Sequence, residues 1–165
     1  MSSSPVDQFA VAARRFCEWA ESEVVTGELE EAATARRLLT QLIGAAIELR
    51  LAEVDVGPHA SGPTAEEYAA VFRRFGVLPF NYYSECFDAI VVPSEEPVVA
   101  DLADDLADIW RDLKSGLRHY DSGEVAAAER TWCFNYSIHW GHHATAALHV
   151  IQAWFSKSGD ESALC

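Results

Sequence analysis

The sequence predicts an all-α, single-domain bundle of five to six helices, with an N-terminal helical hairpin and two long C-terminal helices. Three observations carry that prediction. Apolar residues recur at steps of three and four along most of the chain. Capping residues ahead of proline or glutamate mark several helix starts, with glycine and proline between them. No segment shows sustained strand alternation, Ala89 to Val92 being only a short apolar run. The expected body is residues 8–157, with a flexible N-terminus and cap at 1–7 and a disordered tail at 158–165. A length of 165 residues, half of them hydrophobic, suffices for one core.

The first helix opens at Ser4-Pro5, with Asp7 near the positive helix end. Phe9, Ala13, Phe16, Ala20 and Val24 follow at helical spacing, and Gly27 is the natural stop. A second helix is expected from about Glu28 to Glu53, with Leu38, Leu42, Ala45 and Leu49 in one stripe. Joined by one or two residues, the pair should form the hairpin. Gly57-Pro58 and Gly62-Pro63 place a loop over 54–63. Thr64 with Glu67 is a capping box opening a short helix to about Phe75. Residues 76–93 hold the aromatic cluster Phe80, Tyr82, Tyr83 and Phe87 and read as one short helix and an extended piece. The part around Tyr82 and Tyr83 is expected to lie as a lid over the core instead of forming a ligand platform, with its hydroxyls able to line a pocket mouth. Ser94-Glu95-Glu96-Pro97 reads as the next helix start, leading into the stripe Val98, Leu102, Leu106, Ile109, Leu113 and Leu117. Asp121 with Glu124 gives a further capping box, and the helical pattern then runs to about Lys157.

The formal net charge of -14 disfavours nucleic acid and anionic membrane surfaces as partners. The four cysteines, Cys17, Cys86, Cys133 and Cys165, lie far apart without a CxxC pair, which excludes zinc-ribbon and thioredoxin-type sites. The first residues lack a basic stretch followed by an apolar one, and no uncharged apolar run approaches the roughly 20 residues of a membrane span. A reducing cytoplasm is the expected setting.

The segment Trp132 to His143 holds the concentrated chemistry. At about 100° per residue, His139 and His143 lie one turn apart on a face shared with Trp132, Tyr136 and Trp154, and so should point inward. His142 and His149 fall together on another side. The preceding helix offers Asp101, Asp104, Asp105, Asp108 and Asp112. Turn-spaced histidines facing carboxylates on a second helix are how helical bundles build metal sites. Histidines bonded to aspartates also hold helices in register without any ion. Neither Glu-x-x-His on two helices nor His-Glu-x-x-His is present, so no metal or cofactor is expected; if an ion binds, His139, His143, Asp104 and Asp108 are the expected ligands. A third possibility is a ligand pocket between the long helices, lined by Trp110, Tyr136 and His143. Cys133 has neither a strained turn nor a well-placed histidine to make it a nucleophile.

The motifs Val56-Gly57-Pro58, Phe80-Asn81-Tyr82-Tyr83, Asp101 to Lys114 and His139-Trp140-Gly141-His142-His143-Ala144 together resemble the bacterial family of unknown function labelled DUF5063, over about residues 8 to 150. The resemblance implies a helical domain without a transferable activity. It marks Asp104, Asp105, Asp108, Trp110, Arg111, Asp112, His139, Trp140, His142 and His143 as positions to test, and Tyr136 joins them as a candidate pocket residue. Relatives tend to carry Trp-x-Trp-x-Phe ahead of the histidines, where this chain has Thr131 to Tyr136. The expected role is a non-enzymatic binding or scaffolding module for a protein or small ligand. Its surplus of Trp and Tyr suggests a homodimer. The alternative is a metal-binding protein or metal-dependent enzyme built on the His-rich and Asp-rich helices.

Overall fold

Helix α1 (Pro5–Ala20) begins with a full capping box, Ser4 Oγ accepting the Asp7 amide while Asp7 accepts from the Ser4 amide. The computed structural model describes residues 4–50, 62–86, 88, 90–93 and 95–158. Expectations for 1–3, 51–61, Phe87, Ala89, Ser94 and 159–165 fall outside these residues. Phe9, Ala13 and Phe16 of α1 are fully buried against α2 (Glu28–Ala46) and a helix later in the chain, α4 (Leu102–Asp121).

The link between α1 and α2 is longer than predicted, because α1 stops at Ala20. Glu31 competes for the intervening chain: it accepts the Thr26 amide and hydroxyl and the Trp19 indole N–H. Glu21 is drawn to Trp110 and Lys114 of α4. Val24 therefore stands in solvent instead of extending the α1 stripe. Helix α2 likewise ends at Ala46, short of the predicted Glu53. The Thr64 and Glu67 capping box forms as expected and opens α3 (Ala65–Arg74), followed by a short 3-10 turn at Phe75–Val77.

The expected extended piece becomes a strand, with Phe80 and Tyr83 packed on the core and Tyr82 exposed, and a second strand replaces what read as a helix start. β1 (Tyr82–Glu85) pairs antiparallel with β2 (Val98–Asp101), Tyr82 opposite Asp101 and Glu85 opposite Val98. Val98 thus belongs to the sheet, and α4 begins only at Leu102. Asp101 caps it by accepting the amides of Ala103 and Asp104, while the Leu102 amide bonds back to the Asn81 carbonyl. Those bonds stop the helix from extending toward Ser94. With these strands the architecture is mostly helical instead of purely so.

The expected capping box at Asp121 and Glu124 does not form. Helix α4 runs through Asp121, which pairs with Arg14, and Glu124 bonds His119. Gly123, at φ 80°, turns the chain in a conformation that side-chain-bearing residues avoid. Helix α5 (Val125–Asn135) then starts without a side-chain cap.

The long final run is interrupted by a π-turn at Tyr136–Trp140 before α6 (Gly141–Ser158). A π-turn carries one extra residue, which offsets the helical phase by about 100°. Trp132 and Trp140, about 80° apart on a straight helix, come onto one buried side. The Trp140 indole donates to the Trp132 carbonyl, and both rings lie within 6 Å of Phe9. The expected common face of Trp132 and His139 is split: Trp132 packs between Phe9 of α1 and Gly116 of α4, donating to the Leu113 carbonyl, while His139 meets the aspartates of α4. Gly141 suits the π-turn, since a Cβ there would overlap the Tyr136 carbonyl oxygen. No helix among the described residues is long and apolar enough to cross a membrane.

Candidate metal centre

Asp105, Asp108 and Asp112 stand at i, i+3 and i+7 on α4, so all three project from one stripe. Opposite them lie His139 in the π-turn and His143 at the start of α6. His143 Nδ1 is 2.7 Å from Asp105 Oδ1, and His139 Nδ1 is 2.7 Å from Asp112 Oδ2. The lower-numbered aspartate meets the higher-numbered histidine, so the two segments run antiparallel. The imidazoles stand edge to face, with centroids 4.8 Å apart.

Each ring has committed Nδ1 to a largely buried carboxylate and aims Nε2 at a third. Asp108 Oδ2 is 3.5 Å from His139 Nε2 and 3.7 Å from His143 Nε2. Asp108 Oδ1 is itself held, accepting from the Tyr68 hydroxyl at 3.1 Å and pairing with Arg111 Nη2 at 2.9 Å. Tyr83 donates to Asp105 Oδ2 at 2.6 Å, so both Asp105 oxygens are used. Among the described residues, the ligand atoms of Asp108, His139 and His143 lie within 4.8 Å of one another.

The electrostatics follow from burial and pairing. Its bond to Asp105 holds the His143 pKa above the usual histidine value, against the opposing pull of burial. Burial raises Asp112, only partly countered by its bond to His139. Tyr68 and Tyr83 are pushed well above the usual phenol value, first by burial and then by the carboxylates they donate to. Both therefore stay neutral donors across the physiological range. With each Nδ1–H donating to its aspartate, the Nε2 lone pairs converge on an anionic oxygen. That arrangement repels itself unless a cation stands between them, either a proton on an imidazole or a metal ion.

The remaining candidate residues are distributed around this trio or away from it. Asp104 accepts from Tyr68 at 2.7 Å and does not join the convergent group. Arg111, over the Tyr68 ring, flanks Asp108. His142 pairs with Glu85 of β1 at 2.9 Å, while His149 lines a groove of about 750 Å³ between α2 and α6, so the two do not act together. Trp110 lies on the opposite side of α4 and donates to Glu21. Tyr136 packs its ring on buried Trp140, 4.8 Å between centroids. Trp110 and Tyr136 thus do not share a pocket wall with His143. Tyr68 and Glu85 were missed from sequence, since each is one polar residue on a short element with no periodic signal.

Comparisons with known proteins agree with the fold. A structure of protein BF1032 from Bacteroides fragilis superposes with a TM-score of 0.74 at 18% identity, covering 90% of each chain. At that identity the likeness concerns the fold alone. A search of curated proteins finds no match. Residues 2–157, nearly the whole chain, match the model of the domain of unknown function DUF5063, and the protein belongs to that family.

Proposed function

We propose that the protein binds one divalent first-row transition ion through His139 Nε2, His143 Nε2 and Asp108 Oδ2, as a metal-dependent domain with open coordination positions. The observation that carries this reading is the convergence of both Nε2 atoms on a single carboxylate oxygen while both Nδ1 atoms are anchored on other carboxylates. Helix register alone would be served by the Asp105–His143 and Asp112–His139 bonds; it gives no reason for the free nitrogens to meet. Ligands about 2.1 Å from an ion at tetrahedral angles lie about 3.4 Å apart; Asp108 Oδ2 stands 3.5 and 3.7 Å from the two nitrogens, in a set whose ligand atoms lie within 4.8 Å of one another. Carboxylates behind ligating imidazoles are the usual outer shell of such sites, fixing tautomer and ring orientation.

Two nitrogens and one carboxylate oxygen suit zinc, iron(II), cobalt or manganese better than calcium or magnesium. Three protein ligands leave at least one position for water or substrate, the arrangement by which a bound ion polarises a substrate oxygen or makes hydroxide near neutrality. The rival reading is a proton-filled register lock, favoured by the raised pKa of His143. Elemental analysis and calorimetric titration of untagged protein separate the two. The metal reading expects about one equivalent of ion, lost in His139→Ala/His143→Ala. Trace metal on purification, with no heat on adding zinc, cobalt or manganese, leaves the proton-filled lock.

A further inference from the structure

Resting on that metal reading, we propose that the centre's substrate carries an oxyanion, a carboxylate or a phosphate, which binds between the ion and the Arg111 guanidinium. Asp108 spans the two partners: Oδ2 faces the imidazole nitrogens, and Oδ1 pairs with Arg111 Nη2 at 2.9 Å. The guanidinium is thus one carboxylate away from the ion position. It lies 5.3 Å over the ring of Tyr68, whose hydroxyl is fixed by Asp104 and Asp108, so the planar fork is stacked on one side and paired at one corner.

The ion pair with Asp108 occupies one corner of the fork. The side chain is 41% exposed, and its other donors find no protein acceptor among the described residues. Arg74 makes a useful contrast: it also stacks on aromatic rings and pairs with a glutamate, but at 9% exposure it is closed to any ligand. A planar guanidinium with a free edge suits bidentate recognition of an oxyanion, whereas compensating Asp108 needs only a point charge. Asp108 lies beside the oxyanion position, its charge shared between the ion and Arg111; the other carboxylates that would repel an anion are turned elsewhere. Asp105 and Asp112 lie on the Nδ1 side of the rings, away from the ion position, and Asp104 faces Tyr68.

The test uses full-length protein saturated with cobalt(II), whose visible absorption reports changes in coordination. Inorganic phosphate and acetate are titrated separately as probes, which distinguishes a phosphate from a carboxylate preference. Wild-type spectra should respond to at least one anion. Arg111→Met should weaken the half-saturation about tenfold or more, the scale of one charge-assisted bond, and Arg111→Lys should restore only part. Working at saturating cobalt keeps the anion response separate from any change in metal affinity. Cobalt binding with no spectral response to either anion overturns this inference and leaves the metal reading standing, as does an unchanged response in Arg111→Met or, should that variant not fold, in Arg111→Lys. A wild type that binds no cobalt removes both.

Discussion

Asp105 uses both oxygens at once, one toward His143 and one toward Tyr83, and is only 4% exposed. A carboxylate so placed fixes which imidazole nitrogen is free. Asp105→Asn keeps the volume but replaces an anionic acceptor by an amide that can also present a donor to the ring. Zinc affinity should fall about 10–100-fold, the usual cost of losing an outer-shell carboxylate. Calorimetric titration checks this, and unchanged affinity would mean that Asp105 does not orient the ligand. A second residue-scale prediction concerns Glu31, 2% exposed and 2.8 Å from Arg74 Nη2. Burial alone would raise its pKa, but the bonds from Thr26 and Trp19 and the ion pair with Arg74 outweigh it and hold the carboxyl below the usual range. A lowered folded pKa gives stability that is present above the unfolded value and lost as pH falls through the folded one. Wild-type melting temperature should therefore fall more steeply than that of Glu31→Gln as the pH drops below about 4.5. Parallel melting curves for the two proteins would remove Glu31 from the acid response. The aspartate stripe and the turn-spaced histidines were legible because both follow helical periodicity. Asp104 lies outside the convergent trio because Tyr68 bonds it, a contact that spacing cannot reveal.

At the scale of elements, the sequence revealed the helices that bury a continuous stripe and concealed what breaks periodicity. β1 and β2 have four residues each and several exposed side chains, too few for an alternation to stand out. The glutamates and proline at 95–97 imitate a helix start, but the side-chain cap at Asp101 and the Asn81 carbonyl set the true one. The π-turn was hidden because an extra residue changes the phase of a helix without changing its composition. It has a sharp test in Gly141. Ordinary helix propensity makes Gly→Ala stabilising by up to about 1 kcal/mol. Here the added methyl meets the backbone oxygen of Tyr136, which cannot rotate away. Gly141→Ala should instead destabilise by about 1–3 kcal/mol, as overpacking does. It should also weaken metal binding, because His139 sits inside the turn. Chemical denaturation with and without zinc reads both effects. A more stable variant with intact affinity would show that the π-turn is not what aims His139.

For the whole molecule, the tryptophans pack within the chain itself, whereas Tyr82 stays exposed. Trp110, Trp132 and Trp140 are buried in the chain's own core, while Trp19 packs with Phe16 and Phe75 and Trp154 with Phe80 and Phe155. The family and the helical character were readable from sequence because they rest on long motifs and long stripes. The centre was readable only in part: His139, His143 and Asp108 follow helical spacing, but the centre is assembled from α3, β1, α4, the π-turn and α6, and only the fold adds the Tyr68 and Tyr83 bonds. That assembly makes the site a thermodynamic link between distant segments: an ion that binds the folded arrangement and not the unfolded chain stabilises the whole domain. At a free ion concentration 100 times Kd, the gain is about 2.7 kcal/mol. For a domain of this size that corresponds to a rise of roughly 5–10 °C in melting temperature. The rise should vanish on adding a chelator, and in Asp108→Asn, which leaves a poorer third ligand. A global melting curve is the right measure, since cooperative unfolding reports the joint loss of all five elements. If saturating zinc, cobalt and manganese each leave the wild-type transition unmoved, the convergent nitrogens are filled by protons and the metal reading falls.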